Sequence, residues 1–272
     1  MTAIERWGEQ LERWAIPPEI LSAAPESPWG FPADVFRTRG ALGVGPSQPT
    51  PTTLRALERL PEGGRVLDVG CGGGATSLPL AGRAGILIGV DAQEDMLDGF
   101  VENARAAGAD AESVRGRWPD VAERVAPVDV AVAGHVLYNV ADLEPFVRGI
   151  AAVARRRVVF ELTERHPLHW MNDLWLLFHG LERPSGPVAA DAVDALGEVG
   201  IDPRIDRWEA PPRAGGFARR ADAIALVRRR LCLTPSRDDE LAGALRSRLV
   251  ERDGLWSVGP PDQSHATIWF DR

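Results

Sequence analysis

Short apolar runs alternate along this chain with longer stretches in which apolar positions recur every three or four residues. The runs are Val66–Val69, Ile86–Asp91, Val128–Ala133 and Val158–Leu162, with a weaker one at Glu112–Arg115. Bounded by glycine, proline and acids, runs of this length read as buried strands. The stretches between them read as helices: Glu94–Ala107, then Leu143, Phe146, Val147, Ile150 and Ala154 on one face, then Asp191–Val199. Pro203–Trp208 is a sixth strand and His265–Phe270 a terminal one. Strands alternating with helices at this spacing imply an α/β fold with a parallel, doubly wound sheet, and ligands in such sheets bind at the C-terminal strand ends.

The flanks depart from this alternation. Ile4, Trp7, Leu11 and Trp14 have helical spacing, and Pro17-Pro18 stops that helix. Ala24–Pro32 is a proline-punctuated aromatic loop, Val35–Arg39 a short helix, and Ala41–Pro51 a Gly- and Pro-rich linker. Residues 1–50 are therefore expected to form a helical arm. It is either a cap with Trp29 and Phe31 facing a substrate or an amphipathic segment packed on the core. Residues 51–272 form the main domain, opening with a helix capped by Thr52 or Thr53 that carries Leu54, Leu57 and Leu60. Past the fifth strand, Thr163–Asn172 gathers His166, His169 and Trp170 where loops often carry function; packed aromatics at a helix start are the competing reading. Phe217–Leu231 and Leu241–Leu249 outline a helical insertion at about 215–250, before the last strand.

The candidate chemistry centres on Val66-Leu67-Asp68-Val69-Gly70-Cys71-Gly72-Gly73-Gly74. An apolar strand carrying one acid breaks into a glycine turn, and Ala75–Leu80 is expected to begin a helix behind it. Such a corner suits a nucleotide, with glycines admitting a ligand close to the backbone and a helix N-terminus facing it. Asp68 sits among buried neighbours, where an unpaired acid is costly, so it needs a partner. Asp91, ending the second strand, suits an acid that accepts from ribose hydroxyls; capping the next helix is the plainer role, and the two can coexist.

Composition narrows the classes. The chain has 272 residues and a net charge of −8, which argues against DNA or bulk RNA as partner. Two cysteines, Cys71 and Cys232, are too few for a disulfide framework or a zinc site. No long apolar run or leader pattern is present, so a cytoplasmic location with no membrane association is expected. The arginine clusters at 155–157, 219–220 and 228–230 read as solvated helix faces. Nine Trp against one Tyr suggests that some indoles line a pocket.

Two families compete for the corner. Gly70, Gly72 and Ala75 fit the loose dinucleotide fingerprint of NAD(P)-dependent oxidoreductases. Asp68 inside the motif, the helical arm before it and the edge strand after the sixth pull elsewhere. Together, Val66–Gly74, Asp91 and Asp129–Ala133 resemble the class I S-adenosylmethionine-dependent methyltransferases over roughly residues 52–163. The stretches Trp29–Phe31, His135–Val140 and Glu161–Pro167 are similar to a group of bacterial methyltransferases of unassigned substrate.

The resemblance implies a Rossmann-like, seven-stranded sheet whose antiparallel last strand inserts between the fifth and sixth. It implies S-adenosyl-L-methionine as cofactor. Gly70 and Gly72 would contact its methionine part and Asp68 its ammonium; Asp91, with Ala92 beside it, would hold the ribose. Met96 would pack on the adenine, Arg117 and Trp118 would border it, and Ala133 and Gly134 would flank the sulfonium. Many members carry an acid where Arg117 stands. Methyl transfer needs a base only when the acceptor must lose a proton. His135 is the leading candidate, followed by Tyr138 and then His166 and His169; Trp29, Phe31 and Trp170 join the latter pair as substrate-side residues. A small-molecule methyl acceptor is expected, with a homodimer through the insertion as one arrangement. The alternatives are the oxidoreductase, a non-catalytic methyltransferase-like binding protein, and RNA methylation.

Overall fold

The computed structural model describes residues 1–29, 49–210, 216–259 and 264–272. Phe31, the Val35–Arg39 helix and most of the Ala41–Pro51 linker lie outside them. The chain opens with helices α1 (Ala3–Glu12), α2 (Pro18–Ala23) and α3 (Pro51–Leu57). The sheet then alternates with helices: β1 (Gly64–Val69), β2 (Ala84–Asp91), α4 (Glu94–Ala106), β3 (Asp110–Arg115), β4 (Val128–Gly134), α5 (Leu143–Val153) and β5 (Ala154–Thr163). After it come α6 (Asn172–His179), α7 (Ala189–Glu198), β6 (Arg204–Glu209), α8 (Arg220–Arg230), α9 (Asp238–Ala244), the hairpin strands β7 (Leu249–Arg252) and β8 (Leu255–Val258), and β9 (Ser264–Asp271).

Seven strands form one sheet in the order β3-β2-β1-β4-β5-β9-β6, and β9 alone runs antiparallel to its neighbours. The central strands are nearly continuous in apolar residues because helices cover both faces. On one face Leu67, Ala131 and Phe160 pack with Phe146, Ile150, Leu196 and the arm's Trp7. On the other, Val66, Val130 and Val159 pack with Leu60, Leu87 and Phe100. A third cluster joins Ile16 of the arm to Met171 and Trp175 near α6 and to Ile224, Val227 and Leu241 of the insertion.

Side-chain caps start two of the first three helices. Thr2 and Glu5 exchange hydrogen bonds in a capping box that starts α1. Helix α3 is capped by Thr50, with Pro51 in its first turn, not by Thr52 or Thr53, which face inward and are buried. Arg157 is likewise not a solvated charge: it is 3% exposed, with Nε donating to Asp271 at 2.8 Å and a guanidinium nitrogen 2.5 Å from Glu58. It thereby ties α3 to the N-terminal end of β5.

Two further expectations change. Ala75–Leu80 forms no α-helix; turns lead into a short 3-10 segment, Leu78–Leu80. Gly70, Gly72 and Gly74 all have positive φ, so the turn occupies the start of this short connection, and Pro79 and Gly82 punctuate what remains. The insertion extends past its helices into β7 and β8, joined by Asp253-Gly254, both at positive φ (52° and 75°). Asp-Gly between extended segments is a readable hairpin signal. Among the described residues no helix is long and apolar enough to cross a membrane.

Trp7 anchors the arm: it is fully buried, its Nε1 donates to the Val140 carbonyl at 2.8 Å, and its ring stacks on Tyr138 at 5.7 Å. Trp7→Ala should cost about 3–5 kcal/mol, read from urea unfolding. A loss under about 1 kcal/mol would mean that the arm contributes little to the cooperative fold.

Candidate active site

The site assembles at the C-terminal ends of β1, β2, β4 and β5. Backbone N–H groups of Gly70 and Cys71 donate to the Val90 carbonyl at 2.8 and 3.1 Å, pinning the glycine turn to β2. Gly70 is held at φ +68°, and a Cβ there would lie 2.6 Å from Val136. The Asp91 carboxylate accepts from Gly72 N–H at 3.1 Å and from Gln93 N–H at 3.0 Å. One acid therefore braces both the glycine turn and the approach to α4. Ala92 and Met96 lie beside it, at the entry and in the first turn of α4.

Asp68 is 1% exposed. Its Oδ2 accepts from the Ser77 hydroxyl at 2.6 Å, while Oδ1 has no hydrogen-bond partner. Burial pushes its carboxyl up to about 7 despite the Ser77 bonds, and the charges of Asp91 and Glu161 add to the rise. A buried carboxylate oxygen without a partner is costly. The corner suits a ligand that brings a cationic donor to Oδ1.

At the next strand end, Ala133 is buried and Gly134 closes β4. A Cβ on Gly134 would fall 2.0 Å from the Thr76 hydroxyl, so the glycine turn and β4 meet without room for a side chain. His135 follows in a left-handed conformation, φ 60°, uncommon for a residue with a Cβ. Its N–H donates to the Glu161 carbonyl at 2.7 Å, and its Nε2 lies 3.3 Å from a Glu161 carboxylate oxygen. Burial alone would raise the Glu161 carboxyl, but His135, Thr52 and His265 together hold it below the usual range. The Thr52 hydroxyl is also 2.7 Å from that of Thr267, which accepts from the Trp208 indole at 3.0 Å. His265 is buried, with Trp208 stacked on its ring at 4.9 Å.

The remaining sequence-predicted residues divide. Arg117 is exposed on the loop after β3, while Trp118 turns its Nε1 inward to the Phe146 carbonyl at 3.0 Å. Tyr138 and His166 are packing residues. The Tyr138 hydroxyl donates to the Thr163 carbonyl at 2.8 Å, and burial pushes it up, away from any role as a base. His166 stacks on Trp14 at 3.8 Å; burial, then Arg183 and His169, push it down to about 3, so it is neutral at pH 7. His169 lies 3.4 Å from Arg165, and the Trp170 carbonyl accepts from Arg248 at 3.0 Å. Trp29 is exposed. Glu161, Thr52 and His265 are not among the site residues expected from the sequence. Glu161 carried the same signal as Asp68, an acid inside an apolar strand, whereas His265 carried none.

A cleft between Gly200, Ile201, Asp202 and Arg204 on one side and Trp269–Arg272 on the other lies at the other end of the sheet and shares no residue with this corner.

Comparison with known proteins bears on the family and the fold. A family described as "Methyltransferase domain" matches residues 66–157. The chain is 33% identical over 179 residues to a ubiquinone biosynthesis O-methyltransferase of Rhizobium etli, covering 58% of this chain and 71% of that protein. It is 28% identical over 178 residues to the enzyme of that name in Rhizobium rhizogenes, covering 58% and 70%. Among solved structures, the YcgJ protein of Bacillus subtilis superimposes with a TM-score of 0.53 at 17% identity, covering 81% of this chain and 97% of that one, a likeness of fold.

Asp68 links stability to pH. Its folded value, about 7, exceeds the unfolded reference of 3.8, so its contribution is fully present below about pH 4 and is lost as pH rises through 7. In the ligand-free protein Asp68→Asn should therefore gain stability over wild type by up to the order of 4 kcal/mol at pH 8, shrinking toward pH 5. Urea unfolding at both pH values checks this; a difference independent of pH would show that Asp68 does not titrate in this range.

Proposed function

The chain belongs to the class I S-adenosylmethionine-dependent methyltransferases, and we propose that it transfers the cofactor's methyl group to a hydroxyl oxygen of a small-molecule acceptor. Bound in the glycine corner, S-adenosylmethionine supplies a methyl carbon already activated by its sulfonium. The orphaned Oδ1 of Asp68 accepts from the cofactor's ammonium, and the backbone of Gly70 and Gly72 lies along its methionine part. Asp91 accepts from the ribose hydroxyls, and Ala92, Met96 and the 116–118 loop border the adenine. Ala133 and Gly134 flank the sulfonium.

The observation that carries the acceptor side is the His135–Glu161 pair, 3.3 Å apart and directly after Gly134. With the methyl donor ending at Gly134, an acceptor hydroxyl reaches the His135 ring, which takes its proton while Glu161 holds the ring in place. S-adenosylmethionine held there would supply the methyl carbon to the deprotonated acceptor oxygen and leave as S-adenosylhomocysteine. Much of the remaining rate enhancement is positioning. An oxygen acceptor is favoured by the O-methyltransferases among the relatives. A small one is favoured over nucleic acid by the net charge of −8.

Two measurements test this reading. Calorimetric binding of S-adenosylhomocysteine should weaken toward tenfold per pH unit below pH 7, because the ammonium needs Asp68 ionised. Asp68→Asn should bind weakly and flatten that slope, whereas a wild-type affinity constant from pH 5 to 8 would remove Asp68 from the cofactor site. With phenolic and aliphatic alcohol acceptors, His135→Ala should lower kcat by about 10²-fold or more, and Glu161→Gln by less, with S-adenosylhomocysteine affinity within twofold of wild type. Unchanged turnover in His135→Ala would overturn the acceptor-side assignment.

A further inference from the structure

We propose that His135, Glu161 and His265 form a binding site for a divalent first-row transition ion, with coordination positions left open toward the methyl donor. The site's existence does not depend on the methyl-transfer reading; its role does. Among the described residues these three bring one ligand atom each to within 4.8 Å of one another. Bonds of about 2.1 Å set neighbouring ligand atoms about 3 Å apart, so modest side-chain adjustments close the set on an ion. The His135–Glu161 contact, at 3.3 Å, is already at that spacing.

The three ligands come from the end of β4, from β5 and from β9, which the sheet holds in fixed register. Outer contacts orient them, as metal ligands require: Thr52 on Glu161, and Trp208 stacked against His265. Two imidazoles and one carboxylate suit zinc, manganese, iron or cobalt better than magnesium or calcium. Glu161 and His265 are the inner ligands, whereas His135 is 40% exposed and marks the open side. The set carries one negative charge, so a bound divalent ion keeps a net positive charge that stabilises an ionised acceptor oxygen.

In the loaded protein His135 is a ligand and no longer the base of the ion-free site: the acceptor hydroxyl coordinates the ion, which eases its ionisation, and its proton leaves to solvent water. The oxygen lone pair forms the new O–C bond as the C–S pair returns to sulfur, giving a methyl ether and S-adenosylhomocysteine. The direct His135–Glu161 contact is then the ion-free arrangement of the same corner. The left-handed backbone at His135, which a residue with a Cβ adopts only at a cost, aims the ring into the set.

The test strips the full chain with EDTA and titrates cobalt(II), followed by its visible absorption, and zinc(II), followed by calorimetry. One equivalent should bind, with affinity reduced at least tenfold in both His135→Ala and Glu161→Gln. S-adenosylhomocysteine binding by the loaded protein is measured in parallel. Stoichiometric cobalt binding together with S-adenosylhomocysteine binding supports both proposals. Cobalt binding without S-adenosylhomocysteine binding keeps the ion site and overturns the methyl-transfer reading. No one-equivalent cobalt binding, or binding untouched by both substitutions, overturns the ion site and leaves methyl transfer standing. Because His135 is largely outside the core, His135→Ala should fold, which circular dichroism checks.

Discussion

The antiparallel insertion of β9 between β5 and β6 places Thr267 opposite Glu161 and His265 opposite Thr163. Side chains in a strand alternate with period two, so a one-residue slip would turn Ala266 or Ile268 toward this corner and bury Thr267 elsewhere. The same strand has hydrogen-bonded neighbours on both sides, and Ala266, Ile268 and Phe270 belong to the main core. Its register is therefore fixed by apolar burial, and the polar corner inherits that fixation. Parallel pairing of β4 with β5 completes the arrangement by setting Gly134 beside Glu161. A polar cluster is expensive to organise inside a sheet; here packing remote from the cluster supplies much of its order.

Much of this could be read before the structure. Apolar runs gave the central strands β1, β2, β4 and β5 to within a few residues, because helices cover both faces there, while the edge strands β3 and β6 are largely polar. The acids Asp68 and Asp91 stood out against those runs. Glu161 stood out for the same reason, in Val158-Val159-Phe160-Glu161-Leu162, yet its partner lay at His135 after a different strand. His265 had no local signal, since only the pairing of a late strand brings it to the corner. The helix expected over Ala75–Leu80 failed for a local reason: three left-handed glycines lead the connection, and proline and glycine divide the remainder. Tyr138 and His166 looked chemical because they are polar aromatics near a strand end. Their neighbours, Trp7 and Trp14, come from an arm far away in sequence, and only the fold shows that these rings pack together.

The arm and the insertion are joined by charge as well as by apolar contact. Glu26 pairs with Arg228 and Arg229 of α8, and Arg230 donates to the Pro28 carbonyl at 2.6 Å. Arg228 also reaches Asp238 at 2.9 Å, linking α8 to α9. The arginine side chains are largely covered and their acidic partners partly exposed, so each pair contributes modestly. Here they fix the direction in which the arm leaves an apolar cluster shared by Ile16, Trp175 and Val227. Two segments at opposite ends of the chain thus pack against each other through apolar and charged contacts.

The turn-rich connection after Gly70 also bears on which ligands this corner admits. A helix beginning there would have directed its partially positive end at the ligand, a field that rewards pyrophosphate. Among the described residues 70–83 no such helix stands; the nearby acids are Asp68, Asp91 and Glu161, with the Asp68 carboxyl raised to about 7. On the proposed function, the corner would sort ligands by the sign of their charge, disfavouring the phosphate bridge of a dinucleotide and favouring an ammonium and a sulfonium. One glycine fingerprint, shared with dinucleotide enzymes, would then serve ligands of opposite charge, with the dozen residues on its C-terminal side deciding between them.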